Sequence, residues 1–324
     1  MTRRAGGALL RGLLARPEAI TALLLCAALA AGAALSPYFL DARYLLDSTS
    51  LYMEIGIMAL AMTFIIISGN IDLSVASNLA LTGVVCAMMY SRWHLPIAIA
   101  AAMAPLIGAI LGAFNGWMIT ALRLPSLTVT LGTLALYRGA AQVLVGDHSI
   151  GSFPEWFVGI DYLKVAGLVP APLILFLCLA IAFGLLLHQT IFGRCVYMIG
   201  TNPAAALFSG VRVGRVKLAA FTISGAMSGL GAVIMLSRLG VARYDLALGD
   251  ELAVITAVVL GGTDIFGGRG TILGTVVALF LLGIIRRGMG VANITTENQL
   301  AVTGTLLVAS VLMARLGKRG ASNA

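Results

Sequence analysis

The sequence predicts an all-α, polytopic membrane protein with about ten transmembrane helices, some of them discontinuous or re-entrant. Of its 324 residues, 60% are hydrophobic and only 10% are charged, whereas soluble domains carry about 25% charged residues. The mean hydropathy is +1.02. Apolar runs of the length that crosses a bilayer recur along the chain, and two of them are interrupted by polar, glycine-rich segments.

Ten candidate spans follow one another along the chain, at about residues 19–35, 54–68, 74–90, 96–122, 126–145, 168–187, 218–236, 252–261, 271–285 and 299–313. The eighth and ninth are short and are alternatively half-length elements. The ninth is expected to end at Arg286-Arg287. This pattern predicts one transmembrane domain over residues 19–313, an N-terminal tail over 1–18 and a C-terminal tail over 314–324.

The distribution of positive charge predicts the orientation in the membrane, because cytoplasmic loops carry an excess of Lys and Arg. Residues 188–217 contain four Lys or Arg and no acidic residue, whereas residues 146–167 contain three acidic residues and one lysine. We therefore expect residues 188–217 and both tails in the cytoplasm. Arg286-Arg287 falls near the outer side and is the one exception. The net charge of +8 is interpreted as this topology signal, in contact with a lipid bilayer, and not as nucleic-acid binding.

The first interruption, residues 68–77, brings polar side chains to membrane depth, where they are costly and usually functional. The candidates for a solute pathway in and after it are Asn70, Asp72, Ser74, Ser77 and Asn78. Alternatively, Asp72 caps a helix that begins at Leu73. The stripe formed by Ser74, Ser77 and Asn78 has the alternative role of hydrogen bonding between helices.

Further pathway candidates lie on the fourth and fifth spans. Asn115 is a polar residue in an uncharged run, and Thr130 and Thr133 are three residues apart, so they share a helix face. Arg138 lies inside an apolar run and not at its edge. It is expected either to extend toward the interface or to pair with a buried acid such as Asp72.

Two series of glycines predict close helix packing. Gly108, Gly112 and Gly116 are four residues apart, and so are Gly225 and Gly229. Small residues at this spacing let the backbone of another helix approach closely within a membrane.

The basic loop contains a short segment with the signals of a complete helix. Asn202 is expected to be the N-cap, Pro203 the first helical residue and Gly210 the residue after the C-terminus. In a cytoplasmic loop, such a helix is either a docking element for a partner or a plain surface connection.

The second interruption, Gly261 to Gly270, repeats the Gly-x-x-Asp pattern of the first, with Gly69 and Asp72 matched by Gly261 and Asp264. Interrupted helices at corresponding places in two halves indicate the substrate site of a transporter. The segment is not a phosphate-binding loop, because no Lys-Ser/Thr pair follows its glycines. Four Cys and three His lie without metal-ligand spacing. We therefore predict no cofactor, no metal and no catalytic residue in this chain.

Four motifs in order carry a resemblance that spans nearly the whole chain. They are Ser68-Gly69-Asn70-Ile71-Asp72-Leu73-Ser74, Thr130-Leu131-Gly132-Thr133, the segment from Phe192-Gly193-Arg194 to Ser209-Gly210, and the segment from Val258 to Thr275 with its Gly261-Gly262 and Gly267-Gly268 pairs. The sequence resembles the membrane permease subunits of ABC importers for monosaccharides, a family that includes the ribose, xylose, arabinose, rhamnose and autoinducer-2 systems. It departs from the family pattern at Asn70 and Ala76, where glycine is usual, and at Asp264, where a neutral residue is usual.

The resemblance implies a permease subunit in the bacterial inner membrane that works with cytoplasmic ABC ATPase subunits, a periplasmic sugar-binding protein and a second permease subunit, as a homodimer or heterodimer. The expected cargo is a rhamnose- or ribose-like monosaccharide. Residues implied in coupling to the ATPase are Arg194, Gly200, Asn202, Pro203, Ala205, Ala206, Ser209 and Gly210. The alternative is an ion-gradient-driven secondary transporter of a small polar solute, in which Asp72 and Asp264 would titrate.

Overall fold

The computed structural model describes residues 17–35 and 39–322. Its helices are α1 (Pro17–Leu35), α2 (Ala42–Thr49), a 3-10 turn (Ser50–Tyr52), α3 (Met53–Ile67), α4 (Val75–Ser91), α5 (Ile97–Ala121), α6 (Ser126–Val145), α7 (Glu155–Val158), α8 (Ala171–Gln189), α9 (Ile191–Thr201), α10 (Pro203–Phe208), α11 (Val213–Leu239), α12 (Asp250–Leu260), α13 (Ile272–Val291) and α14 (Thr296–Ser322). Two short antiparallel strands, β1 (Lys164–Val165) and β2 (Val169–Pro170), form a hairpin before α8. The predicted tail over 1–18 lies, up to residue 16, outside the described residues.

The described residues confirm an all-α polytopic membrane protein. Five helical segments are long and apolar enough to cross a membrane: Ala42–Ile67, which joins α2 to α3, and α5, α8, α11 and α13. Two shorter apolar helices, Ala19–Ala34 and Val75–Ser91, lie among them. The boundaries of most predicted spans are within a few residues of these helices.

The structure corrects the sequence-based boundaries at three places. The ninth span was expected to end at Arg286-Arg287, but α13 continues to Val291, because Arg286 is paired with Asp250 and Arg287 lies over the ring of Tyr44. Only α12, with 11 residues, has half length, whereas α13 has 20. The basic loop contains a second helix, α9, before the predicted short one.

Helix α3 forms the centre of the molecule. All 15 of its residues are buried, and it contacts α8, α11, α12 and α13. A helix that is apolar on every face is typical of a protein core or of a membrane span, and here other helices surround it. Because α3 ends at Ile67, the first interruption begins in the middle of this packed bundle.

The two predicted glycine series face each other where α5 crosses α11. A methyl group added at Gly112 would lie 2.9 Å from the Cα atom of Gly225, and one added at Gly108 would lie 2.9 Å from the backbone nitrogen of Gly229. A methyl at Gly116 would lie 3.0 Å from the Cα atom of Leu218. The helix backbones are therefore in direct contact, and no larger side chain fits between them.

Candidate functional site

The buried side chain of Asp72 stabilises the conformation of the first interruption. This side chain is 2% exposed. One carboxylate oxygen accepts hydrogen bonds from the backbone N–H of Ser74 at 3.0 Å and from its hydroxyl at 2.7 Å. The other accepts one from the hydroxyl of Ser224 on α11 at 3.3 Å. The prediction that α4 begins at Leu73 is wrong by two residues, since it begins at Val75, but Asp72 does accept the Ser74 N–H.

The same hydrogen-bond network extends from the interruption into two further helices. The amide of Asn115 on α5 donates to the hydroxyl of Ser74 at 2.8 Å. The Tyr137 hydroxyl on α6 lies 3.1 Å from the side-chain oxygen of Asn115 and 2.8 Å from the carbonyl of Leu111. Tyr137 and Ser224 were not identified from the sequence, although they lie beside residues that were. The network ties the segment before α4 to α5, α6 and α11.

The other hydroxyl and amide side chains of the predicted pathway are also buried and hydrogen-bonded within the chain. Asn78 donates to the carbonyl of Gly108 at 3.1 Å, which joins α4 to α5. Ser77 bonds the carbonyl of Ser74 at 2.9 Å and Thr133 that of Val129 at 3.1 Å, within their own helices or helix starts. Thr130 bonds the carbonyl of Ser126 at 2.9 Å and lies 3.3 Å from that of Ile71.

The structure contradicts the pairing of Arg138 with Asp72. The guanidinium of Arg138 donates to the backbone carbonyls of Tyr244 and Leu246, both at 2.6 Å. Ser126 and Thr130 are the residues of α6 that hydrogen-bond the interruption. Arg138 lies eight residues beyond Thr130, about 12 Å at the helical rise. It therefore anchors the loop before α12 at the other end of the bundle.

Asn70 is the predicted pathway residue that borders open space. It lines a cavity of about 560 Å³ between the interruption, the α5–α6 connection and the start of α11. Its side-chain oxygen accepts a hydrogen bond from the ammonium group of Lys217 at 3.2 Å, and its amide donates to the hydroxyl of Ser68 at 2.9 Å. Arg123, Ser126 and Thr120 complete the polar part of the wall. From the sequence, Lys217 was counted only as a topology signal.

The two interruptions touch each other through their backbones. The N–H of Gly268 donates to the carbonyl of Ile67 at 2.8 Å. A methyl at Gly267, where φ is +91°, would lie 2.9 Å from the nitrogen of Gly69. Asp264 folds its own loop by accepting the N–H of Phe266 at 3.1 Å. The ends of α3 and α12 therefore form one junction.

Helix α9 lies directly against this junction. A methyl at Gly200 would lie 2.5 Å from the nitrogen of Gly268 and closer still to the carbonyl oxygen of Ile67. The hydroxyl of Tyr197 donates to the carbonyl of Gly270 at 2.6 Å. The backbone of α9 therefore contacts the end of α3 and the second interruption without an intervening side chain.

Helix α10 presents an apolar tip beyond α9. As predicted, Asn202 caps it by accepting the N–H groups of Ala204 and Ala205, each at 3.0 Å, and Gly210 follows with φ of +84°. Ala206 is buried. Leu207 and Phe208 at its end are exposed, Phe208 by 90%. In the sequence, these two consecutive apolar residues at the end of a capped helix were the signal that could have indicated this tip. The side chains of Ala205 and Ser209 and of Arg194, Arg212 and Arg215 are exposed around it.

A helical membrane bundle with two touching interruptions and an exposed apolar helix tip fits a membrane transport protein of the permease class. Residues 44–311 match the family model described as the branched-chain amino acid transport system, permease component. The chain belongs to this family. It is 38% identical over 300 residues to the autoinducer 2 import system permease protein LsrD of Escherichia coli (strain K12), an alignment that covers 91% of this chain and 90% of the relative. LsrD of Shigella flexneri matches with the same identity and coverage. No solved structure matched the chain.

These matches confirm the resemblance to ABC importer permeases and assign the chain to the multi-pass proteins of the bacterial inner membrane. Permeases of this kind are not enzymes, because a separate ATPase subunit hydrolyses ATP. The family implies partnership with that ATPase and with a substrate-binding protein.

Proposed function

We propose that this chain forms the translocation pathway of an ATP-driven importer for a small hydroxylated solute, either autoinducer 2 or a rhamnose- or ribose-like monosaccharide. The observation that carries the proposal is the 38% identity to LsrD over 91% of the chain. The amide of Asn70 and the hydroxyl groups of Thr120 and Ser126 in the same cavity match a polyhydroxylated cargo, which is recognised by several hydrogen bonds.

Within the pathway, Asn70 contacts the solute and the other predicted polar residues position the interruption. Asn70 borders the open cavity, and Lys217 fixes the orientation of its amide. Asp72, Ser74 and Asn115 use their hydrogen-bonding groups on one another and on neighbouring helices. Ser77, Asn78, Thr130 and Thr133 support the helices around the break in the same way.

ATP-driven movement reaches the pathway through α9 and α10. The exposed tip of α10 inserts into the ATPase, and the basic residues around it contact acidic groups of that partner. Gly200 then passes the movement of α9 to Ile67, the residue just before the first interruption, and to Gly268 in the second. The coupling segment thus moves as a rigid body, and the irregular backbone at the helix breaks is the part that changes conformation.

The complete importer contains two permease subunits, and its ATPases lie on the side of residues 188–217. Both tails and the 188–217 segment face the cytoplasm, since an even number of crossings returns the chain to its starting side. The transmembrane domain extends over residues 19–313, and the periplasmic binding protein delivers the solute at the opposite end.

Transport in a strain that lacks its own uptake systems tests the cargo. Cells that express this chain with its ATPase and binding protein are expected to accumulate labelled autoinducer 2, ribose or rhamnose. Accumulation of leucine or isoleucine alone would contradict a sugar-like cargo. Uptake that survives ATP depletion but collapses with an uncoupler would favour the ion-gradient alternative, which the family assignment disfavours.

A charge placed on the α10 tip tests the docking proposal. Phe208→Asp is expected to abolish co-purification of the ATPase, because a carboxylate would be desolvated in an apolar socket. Leu248→Asp is the matched control, since Leu248 is also exposed but lies in the loop before α12 at the other end of the bundle. Equal co-purification of both variants would contradict docking through α10.

A further inference from the structure

Three arginines surround a second cavity at the end of the bundle opposite α10. Arg238 lies in the last turn of α11, whose first turn follows the coupling segment, so the two sites are separated by the length of that helix. The cavity has a volume of about 480 Å³. Its wall consists of Arg238, Arg286, Arg287, Ser48, Leu51, Tyr52, Gly283, Gly290 and Gln299, and no carboxylate is among them.

Two of the three positive charges in this wall have an acidic partner, and the third has none among the described residues. Arg238 is paired with Glu54, and Arg286 lies 3.5 Å from Asp250. Arg287 lies over the ring of Tyr44 at 3.8 Å from its centroid and has no carboxylate within ion-pair distance among the described residues. Arg287 is therefore the one arginine of this wall that lines the cavity without an acidic partner among the described residues.

The cavity lies near the C-terminal end of α13, and the ends of a membrane-spanning helix lie near the lipid headgroups. Arg286 and Arg287 lie five and four residues before the end of α13, about 6–8 Å along the helix. Leu51, half of whose surface is exposed, lines the rim. The cavity thus offers guanidinium groups on the inside and an apolar edge toward the bilayer.

We propose that this cavity binds the phosphate group of an anionic phospholipid. A guanidinium fork matches two phosphate oxygens at once, which an ammonium group does not. Arg287 supplies the unpaired charge, and the side chains of Gln299, Ser48 and Tyr52 supply neutral hydrogen-bonding groups. Basic residues inside a helical membrane bundle mark a binding site by default. The lipid neutralises Arg287 and closes the gap between α11, α13 and the start of α14.

Native mass spectrometry of the detergent-purified chain tests this site directly. The wild-type protein is titrated with phosphatidylglycerol, phosphatidylcholine and soluble glycerol phosphate. We expect phosphatidylglycerol to bind most tightly. Arg287→Gln is expected to weaken this binding by about tenfold or more, the effect of losing a hydrogen bond to a charged group. Arg243→Gln is the matched control, because Arg243 is an exposed arginine near the same end that already pairs with Asp245.

The outcomes separate the possible ligands. Equal binding of phosphatidylglycerol to the wild type and to Arg287→Gln overturns the proposal, and so does equal binding of the two lipids by the wild type. Displacement of the lipid by an equal concentration of glycerol phosphate assigns the cavity to a soluble anion and overturns the lipid assignment. If Arg287→Gln elutes as an aggregate, Arg287→Lys and Gln299→Leu replace it. Both are expected to weaken lipid binding, and unchanged binding by both overturns the proposal.

Discussion

Replacement of Gly200 by alanine perturbs a contact through which α9 reaches the end of α3 and the second interruption. The added methyl carbon would lie 2.5 Å from the nitrogen of Gly268, and such contacts do not fall below 3.0 Å. The α9 backbone must therefore move away by about 0.5 Å or more on that side. The carbonyl of Ile67, which accepts the N–H of Gly268 at 2.8 Å, lies in the path of the same methyl group.

The expected penalty follows from these distances. Overpacking of a close contact costs about 1–3 kcal/mol, and loss of the backbone hydrogen bond costs about 1 kcal/mol more. A coupling free energy of 1–3 kcal/mol corresponds to about a 5–150-fold change in coupled activity. The exposed face of α10 does not include Gly200, so the ATPase is expected to bind and hydrolyse ATP as before.

The assay is the number of solute molecules imported per ATP hydrolysed by the complete importer in proteoliposomes. Gly200→Ala is expected to lower this ratio at least about fivefold, with ATP hydrolysis retained. Gly184→Ala is the matched control, because a methyl group there meets no atom within 4 Å and alanine is the better helix former. A wild-type ratio for Gly200→Ala would refute transmission through this contact.

Substitutions at three further positions test the packing, the cap and the cavity. Gly112→Leu is expected to force α5 away from α11 and so to lower the thermal unfolding midpoint in detergent. The loss of stability from this overpacking is about 1–3 kcal/mol or more. An unchanged midpoint would contradict the backbone contact between the two helices. Asp72→Asn keeps an acceptor for the Ser74 N–H and is expected to retain uptake. Asp72→Leu leaves buried donors unpaired, which is expected to lower the stability by about 1–3 kcal/mol. Loss of uptake in a stable Asp72→Asn variant would instead make the charge itself essential. Lys217→Met is expected to raise the KM for uptake about tenfold, because a charged hydrogen bond to Asn70 is lost. An unchanged KM would exclude Asn70 and Lys217 from the pathway.

Local signals in the sequence were sufficient for most helices and for the α10 cap. Long apolar runs predict α5 and α6 nearly to the residue, and the Asn-Pro start and glycine end of α10 depend only on neighbours in the chain. The spacing of Gly108 and Gly112 also predicted a close helix contact. It did not identify α11 as the other helix, because small residues mark an interface without naming its partner.

Long-range partners explain what the sequence did not reveal. The sequence predicts the end of a helix at Arg286 and Arg287. The helix continues through both residues, because Asp250 and Tyr44 lie beside them in space. Arg138 was expected either to extend toward the interface or to pair with a buried acid, but backbone carbonyls more than a hundred positions away accept its hydrogen bonds. Likewise, Asn70 and Asp72 are two residues apart and differ completely in surroundings, since only the first borders a cavity.

Reconstitution of the complete importer tests the central claim most directly. This chain is placed in proteoliposomes with its ATPase inside and its binding protein outside, and labelled autoinducer 2, ribose and rhamnose are offered in turn. We expect one of these solutes to be imported, and we expect this import to require ATP, the ATPase and this chain together. Import by vesicles that contain this chain alone, or ATP-driven import of leucine with none of the three, would contradict it.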